Sequence, residues 1–600
     1  MPAFILSCFC ERALLYSRCV RSIMKTVRGF DVAKLKRRLL WLVGKLQREA
    51  EQNFGLIGSL FLLNYFSIFW LNIHMYQWEQ LGVVVMDGLF LFAMTGLYVS
   101  LLSLLPVRWL RSLLLVLSFA IPVLLGALDV FSIISYEALV GAGVVTAMMQ
   151  TNSHEAVEFL IQYVGWRGLA VMLLAGLAMA FAARYVVQWR LRFPSRHWRT
   201  RIFALLFACG LVAGIGIWEG YHSFVIGDYL DISTVRMARS VEVSFQNIEA
   251  YEKLSKQMES TARITENRSD IPQVVFILGE ATARQRMHLY GYELENTPLL
   301  EELADRGELA VFRDVIAPQG ATVAVLQELF TFADAESDKE WYEYNNLIDV
   351  LNLAGYRTYW LSNQESSGIW GNVAQFYARR SSQRRFTEIR ESHEEHGTLD
   401  EELFPLLEQA MADPGERKFY VLHLMGGHSL YYMRFPYLFS KFGAEDVPME
   451  ESQLSEEKRL EVAQYANALY YNDYVIRQIM ERFREQDAIV IYLPDHGEAL
   501  YDHGSSVSGH VQENPNRYML EVPMIFWASE EFKARRPEKW QAICGAVDRP
   551  YMTDDMIHTV LDLMDIRTEE FDASKSLLSP SFKASRQRIV QGRNYDMDMK

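Results

Sequence analysis

The residues best suited to chemistry in this chain lie at Asp495-His496-Gly497-Glu498, directly after the apolar run Ala488-Ile489-Val490-Ile491-Tyr492-Leu493-Pro494. A short β-branched run of this kind reads as a strand buried on both faces. In open α/β sheets ligands collect beyond the carboxyl ends of the strands, where this cluster falls. Adjacent Asp and His offer oxygen and nitrogen donors suited to zinc. Such a pair also occurs as a polar loop capping a core strand, so the rest of the chain must weigh between the two.

Three further strands are expected to end in polar groups. Residues 274–278 run into Gly279-Glu280, residues 356–361 into Ser362-Asn363-Gln364, and residues 419–425 into Gly426-Gly427-His428. Four such endings on one sheet edge indicate a site, and Glu280 is then a third candidate ligand, although a lone glutamate also opens many surface helices. Thr322 follows Gly320-Ala321 and precedes the helical run 323–332. Coordination to Zn²⁺ would favour its alkoxide, and a helix N-terminus would attract a phosphoryl group. Threonine is equally a preferred helix cap. Both roles fit the pattern.

From Asp270 onward short apolar strands alternate with helical stretches, which predicts an α/β sheet over 270–600. The first half reads differently. Half of the 600 residues are hydrophobic, and five apolar runs of spanning length lie at about 54–74, 81–105, 109–133, 165–187 and 202–219. Connecting charges alternate. Residues 75–80 and 135–164 contain no Lys or Arg, whereas Arg108, Arg111, Arg184, Arg190, Arg192, Arg196 and Arg199 cluster in the other connections. With the basic stretch 25–48, the positive-inside rule puts the N-terminus in the cytoplasm and residues beyond 220 outside. The expected organisation is a cytoplasmic segment 1–53, a five-helix transmembrane domain 54–220, amphipathic bridging helices over 221–269 and a catalytic domain 270–600. Residues 144–152 could lie along the outer bilayer interface or form an ordinary loop. The apolar run 3–9 is too short for a signal peptide, and Met24 is a second candidate start.

The net charge is −15 although residues 1–50 carry eleven Lys/Arg against Glu11, Asp31 and Glu49, so the remainder is strongly acidic. That argues against nucleic acid as a partner. The five cysteines form no CxxC pair, and only Cys544 lies beyond Cys209, so the second half cannot hold an internal disulfide.

In combination these motifs resemble those of the membrane-bound phosphoethanolamine transferases of Gram-negative bacteria, in the alkaline phosphatase/sulfatase superfamily. Gly279-Glu280 followed by Leu289-Tyr290-Gly291-Tyr292 and Thr297-Pro298 is similar to the family's first metal motif, and Asp495-His496-Gly497-Glu498 to its second. The resemblance implies a five-helix membrane domain with an alkaline-phosphatase/sulfatase-like catalytic domain in the periplasm, anchored in the bacterial inner membrane. It implies one or two zinc ions held by Glu280, Asp495, His496 and Thr322, with Thr322 carrying the phosphoethanolamine. His428 and His510 would contact the phosphate, directly or through a second zinc, and Asn363-Gln364 match the family's Asn-Gln turn at the substrate. His503 competes with His510, which has the better spacing. The donor would be phosphatidylethanolamine and the acceptor a lipopolysaccharide. Lipid A-modifying members have a cysteine just before the nucleophile segment, where this chain has Pro318-Gln319-Gly320-Ala321; Arg284-Gln285-Arg286-Met287 looks more like the branch acting on the core heptose. A sulfatase is excluded by the lack of a C/S-x-P-x-R motif at the nucleophile. A different glycerophospholipid-dependent phosphotransferase and an inactive lipid-binding protein remain as alternatives. The topology is checked by reporter fusions at residue 260: a periplasm-only reporter should be active there, and activity of a cytoplasm-only reporter would invert the assignment.

Overall fold

The computed structural model describes residues 52–75, 81–136, 139–150, 233–256, 260–364, 373–387, 399–448, 453–505 and 507–600, with scattered positions between 37 and 50. The chain divides into two compact units, Met1–Val123 with Gly176–Ile232, and Leu124–Ala175 with Ser233–Lys600.

Three helices coincide with the first three apolar runs: α1 (Phe54–Met75), α2 (Leu81–Ser103) and α3 (Arg108–Tyr136). Among the described residues one stretch, Arg108–Ile133, is long and apolar enough to cross a membrane. Only 6% of its most apolar window is covered by protein, with Val116 56% and Leu124 62% exposed, unlike the core helix of a soluble domain. The fourth and fifth expected spans lie outside the described residues. The short helix α4 (Ala142–Gln150) falls on the 144–152 stretch, and one helix, α5 (Ser233–Lys256), occupies the bridging region. Both belong to the second unit, as does the distal end of α3. This differs from the expected boundary at residue 220, and the reason is local packing. Asp129 of α3 is buried and accepts from Ser233 at 2.5 Å and from Arg236, while Thr146 of α4 meets Ser244 of α5 at 2.8 Å.

The second unit is built on a seven-stranded sheet of β1 (Gln273–Gly279), β2 (Leu309–Phe312), β3 (Arg357–Ser362), β4 (Gln383–Phe386), β5 (Lys418–His423), β6 (Ala488–Pro494) and β7 (Met524–Ala528), in the order β2-β7-β6-β1-β5-β3-β4. The expected α/β class holds. Strands β6, β1, β5, β3 and β4 run parallel, and β7 runs antiparallel to both of its neighbours. Register carries the functional consequence. Gly279 pairs with Pro494, Leu278 with His423, and His423 with Ser362, so the four polar strand endings lie side by side.

Alternate residues of the central strands feed two cores. Val274, Phe276 and Leu278 pack on one face; Val275 and Ile277 pack on the other, beneath the long helix α7 (Glu456–Arg482). Burial on both faces explains why these strands read as continuous apolar runs instead of alternating ones. Helix α6 (Thr322–Leu329) sits on the first face, and Phe330 at its end is fully buried among Phe276, Trp360 and Tyr377, with ring centroids 5.3–5.9 Å away. Phe330→Ala should therefore destabilise this unit by about 3–5 kcal/mol, and Phe330→Leu by only about 1 kcal/mol. Denaturant midpoints of the two variants check this, and equal small losses would mean that the cluster is not a packed core.

Candidate active site

Each functional side chain is delivered by a strand end. Glu280 follows β1 and Asp495-His496 follow β6; both carboxylates are about 1% exposed and His496 is fully buried. The turn after β6 is forced tight, because a Cβ on Gly497 would lie 2.1 Å from the carbonyl oxygen of Tyr518.

Thr322 is the first residue of α6. The cap position belongs to Ala321, and the Thr322 hydroxyl makes no capping bond. It points instead into the cluster, 3.2 Å from His496 Nε2 and 3.4 and 3.5 Å from the two Glu280 oxygens. His496 Nε2 lies 3.4 Å from Glu280 Oε1 and 3.5 Å from Asp495 Oδ2. Its Nδ1 faces the Gly497 carbonyl at 2.8 Å, which makes Nδ1 the protonated nitrogen and leaves the Nε2 lone pair free.

Two buried carboxylates this close repel one another. Burial, then the Asp495 charge, push Glu280 well above the usual carboxylate range, and burial lowers His496. Asp495 Oδ1 accepts the backbone N–H of Ala281 and His496, but the buried Oδ2 has no hydrogen-bond partner. An orphaned buried carboxylate oxygen is costly unless a cation completes it. Glu280, Asp495 and His496 can bring one ligand atom each within 4.8 Å of one another, and two oxygens with one imidazole nitrogen are a suitable donor set for a divalent metal such as zinc. His496, Glu498 and His510 meet the same distance test. There, however, both Glu498 oxygens are already engaged, by Tyr431 at 2.6 Å and by His510 Nδ1 at 2.7 Å. The first trio is the better ion site.

The second trio reads as a carboxylate–imidazole pair. Burial opposes charge on His510, but Glu498 outweighs it and raises the imidazole's affinity for a proton. The His510 and His496 rings lie 4.0 Å apart, whereas His503 bonds the Tyr518 hydroxyl at 2.8 Å on the exposed side of the loop. His428 stands on the turn after β5, where burial first, then Arg434, His510 and His496, hold it well below the usual imidazole range.

The two amides differ from expectation. Gln364 Nε2 donates to Glu280 Oε2 at 3.2 Å and to the Leu424 carbonyl at 3.0 Å, so it orients a carboxylate. Asn363 turns to the other side, donating to Asp400 at 2.8 Å and accepting from Thr387 at 2.9 Å. Asp400, which sequence reading missed, accepts the Met425 and Gly426 N–H groups at 2.8 and 2.9 Å and so fixes the turn carrying His428. Glu498 lies within the motif Asp495-His496-Gly497-Glu498, but the motif alone assigns it no role. Its partner His510 is twelve residues away across a loop, a contact that no periodicity announces.

Known proteins resemble this chain in sequence and in fold. Residues 272–566 match the Sulfatase family model. The chain is 29% identical over 514 residues to phosphoethanolamine transferase CptA of Salmonella typhimurium, and 27% identical over 513 residues to phosphoethanolamine transferase EptC of Escherichia coli (strain K12), covering 81% of this chain and 86% of each relative. The crystal structure of the C-terminal periplasmic domain of Escherichia coli EptC, in complex with Zn, superposes with a TM-score of 0.51 at 27% identity over 57% of this chain and 94% of that one. The integral membrane protein lipooligosaccharide phosphoethanolamine transferase A of Neisseria meningitidis shares the fold, with a TM-score of 0.62 at 20% identity over 87% of this chain and 97% of that one. Residues 272–566 thus form a sulfatase-family domain, and the chain is similar over most of its length to phosphoethanolamine transferases.

Proposed function

We propose that this protein transfers phosphoethanolamine from phosphatidylethanolamine to a lipopolysaccharide, with the core heptose favoured over lipid A as acceptor, through a phosphoester on Thr322. The observation that carries this reading is the Thr322 hydroxyl, free of any capping role and 3.2–3.5 Å from His496 and Glu280. The relatives named phosphoethanolamine transferase give the class of group transferred. The heptose preference rests on the Arg284-Gln285-Arg286-Met287 resemblance. The protein is read as a five-span inner-membrane enzyme with a cytoplasmic N-terminus and a periplasmic catalytic domain, extending the apolar helices described above.

Glu280, Asp495, His496 and Thr322 would hold Zn²⁺, which when bound neutralises charge on the phosphoryl oxygens and favours the Thr322 alkoxide. In the first step Thr322 gives its hydroxyl proton to solvent and its Oγ attacks phosphorus, the bond from phosphorus to the glycerol oxygen breaks, and diacylglycerol leaves. The proton its oxygen needs is available on the His510 ring, whose charged form Glu498 favours. His428, kept neutral by burial, can hydrogen-bond the phosphate without adding charge. An acceptor hydroxyl then attacks the same phosphorus and gives its proton to the now neutral His510, the bond from phosphorus to Thr322 Oγ breaks, and that oxygen takes a proton from solvent, which restores Thr322.

Removing one ligand from so small a donor set costs orders of magnitude in activity. Glu280→Ala, Asp495→Ala and His496→Ala should each lose bound zinc and activity, whereas His428→Ala should keep its zinc and lose turnover. Metal analysis of the purified variants checks this, and wild-type zinc in all three ligand variants would relocate the site.

The covalent step has its own signature. Given phosphatidylethanolamine and no acceptor, the wild-type protein should release diacylglycerol and gain one phosphoethanolamine on Thr322. Thr322→Ala should do neither. Peptide mapping identifies the modified residue; full activity in Thr322→Ala would establish direct transfer instead.

A further inference from the structure

Helix α4 begins without a cap of its own. Gly141 occupies the cap position, since its carbonyl accepts the Val145 N–H at 3.1 Å, but it has no side-chain oxygen for the next free N–H groups. Glu513, 369 positions after Val144, supplies one. Glu513 Oε1 accepts the Val144 N–H at 3.0 Å, and the Gly141 and Gly143 amides also face this carboxylate. Burial raises the Glu513 carboxyl, and the backbone N–H groups at this helix end oppose that shift by favouring its charged form.

Glu513 sits three residues after His510, in a segment that leans on the nucleophile turn. A Cβ on Gly320 would lie 2.5 Å from the Val511 carbonyl oxygen and 2.7 Å from Pro515 Cβ, so backbone meets backbone here. Gln512 Nε2 donates to Gln319 Oε1 at 2.6 Å, and Gln319 Nε2 donates in turn to Glu328 Oε1 at 2.9 Å. Gln319 thereby braces both ends of the segment that presents Thr322. Val511 is buried against Val144 of α4 and Met519. The contacts form one continuous path: α4, Glu513, Gln512, Gln319, Thr322.

We propose that Glu513 is a positioning residue: by capping α4 it seats the 511–515 segment against the Gln319-Gly320 turn, tying the geometry of Thr322 and His510 to the helix that follows the apolar helix α3. The inference rests on the reading of Thr322 as nucleophile for its kinetic consequence alone, and its structural consequence is measured independently of activity.

The test uses the full-length protein in detergent, with hydrogen exchange read peptide by peptide and zinc content measured alongside. Glu513→Ala should expose both the 141–150 and the 317–326 peptides to faster exchange, while β7 and the zinc content stay as in wild type. Gln512→Ala cuts the path further along and should loosen 317–326 but not 141–150. Diacylglycerol release in Glu513→Ala should slow on the order of tenfold in kcat, with KM for the donor changed by less than about twofold. Glu513→Gln keeps an oxygen for the Val144 N–H and should recover most of the rate. Loosening of 141–150 alone, with 317–326 unchanged, would reduce Glu513 to a local cap and overturn the proposal, as would wild-type kcat in both alanine variants. Should wild-type protein release no diacylglycerol, the proposed function fails, while the exchange pattern still decides the coupling.

Discussion

The arrangement depends on two carboxylates buried where neither can reach water. Glu280 and Asp495 stand at the ends of adjacent parallel strands, and β-sheet register, not side-chain choice, sets their separation. Moving either away would mean breaking the β1–β6 ladder. The repulsion is therefore built into the fold, and it shows as a raised Glu280 and an unpaired Asp495 oxygen. A buried charge without a partner costs several kcal/mol or shifts its proton. A cation removes both problems at once. Gln364, the Ala281 N–H and the free Nε2 of His496 are consistent with a cradle completed by an ion.

This constraint orders the rest of the site by stiffness. Three of the groups that would meet the ion, Glu280, Asp495 and His496, come from strand ends buried in both cores, where displacement would disturb the sheet. Groups that would meet the phosphate come from turns. His428 needs Asp400 to hold its turn, and Asp400 is itself steadied by Asn363. His510 needs Glu498 on one side and the 511–515 segment on the other. Groups held on turns can yield to a substrate that enters and leaves, whereas Glu280, Asp495 and His496 are held by the sheet.

Much of this was legible in the sequence because the sheet speaks through composition. Strands buried on both faces read as unbroken apolar runs, and the polar residue that ends each run marks the sheet edge; Glu280, His428 and Asp495-His496 were found that way. Direction around a turn was not legible. Asn363 and Gln364 are neighbours, yet one turns to Asp400 and the other to Glu280, and no spacing rule separates them. Likewise the pattern left Thr322 between cap and nucleophile until Ala321 was seen at the cap position. The antiparallel β7 also escaped notice, since its run 524–528 carries no sign of strand direction. The first three apolar runs correspond to helices, but the assignment of 124–150 to the catalytic unit depended on Asp129, Thr146 and Glu513 finding partners about 100 to 370 residues away. Local sequence holds no record of such closures.

Buried ion pairs extend the same division between sheet-borne and loop-borne groups. Arg284 and Arg286, part of the segment that distinguishes the heptose-type resemblance, are both committed to protein partners: Arg284 to Glu521, Arg286 to Asp502 and the Leu500 carbonyl. Ion pairs this well buried contribute little net stability but fix conformation, because removing one member strands the other. Arg286 thereby pins the 500–502 turn, the start of the loop that later supplies His510. Both arginines thus bond within the protein and help to set the shape of the loop that carries His510.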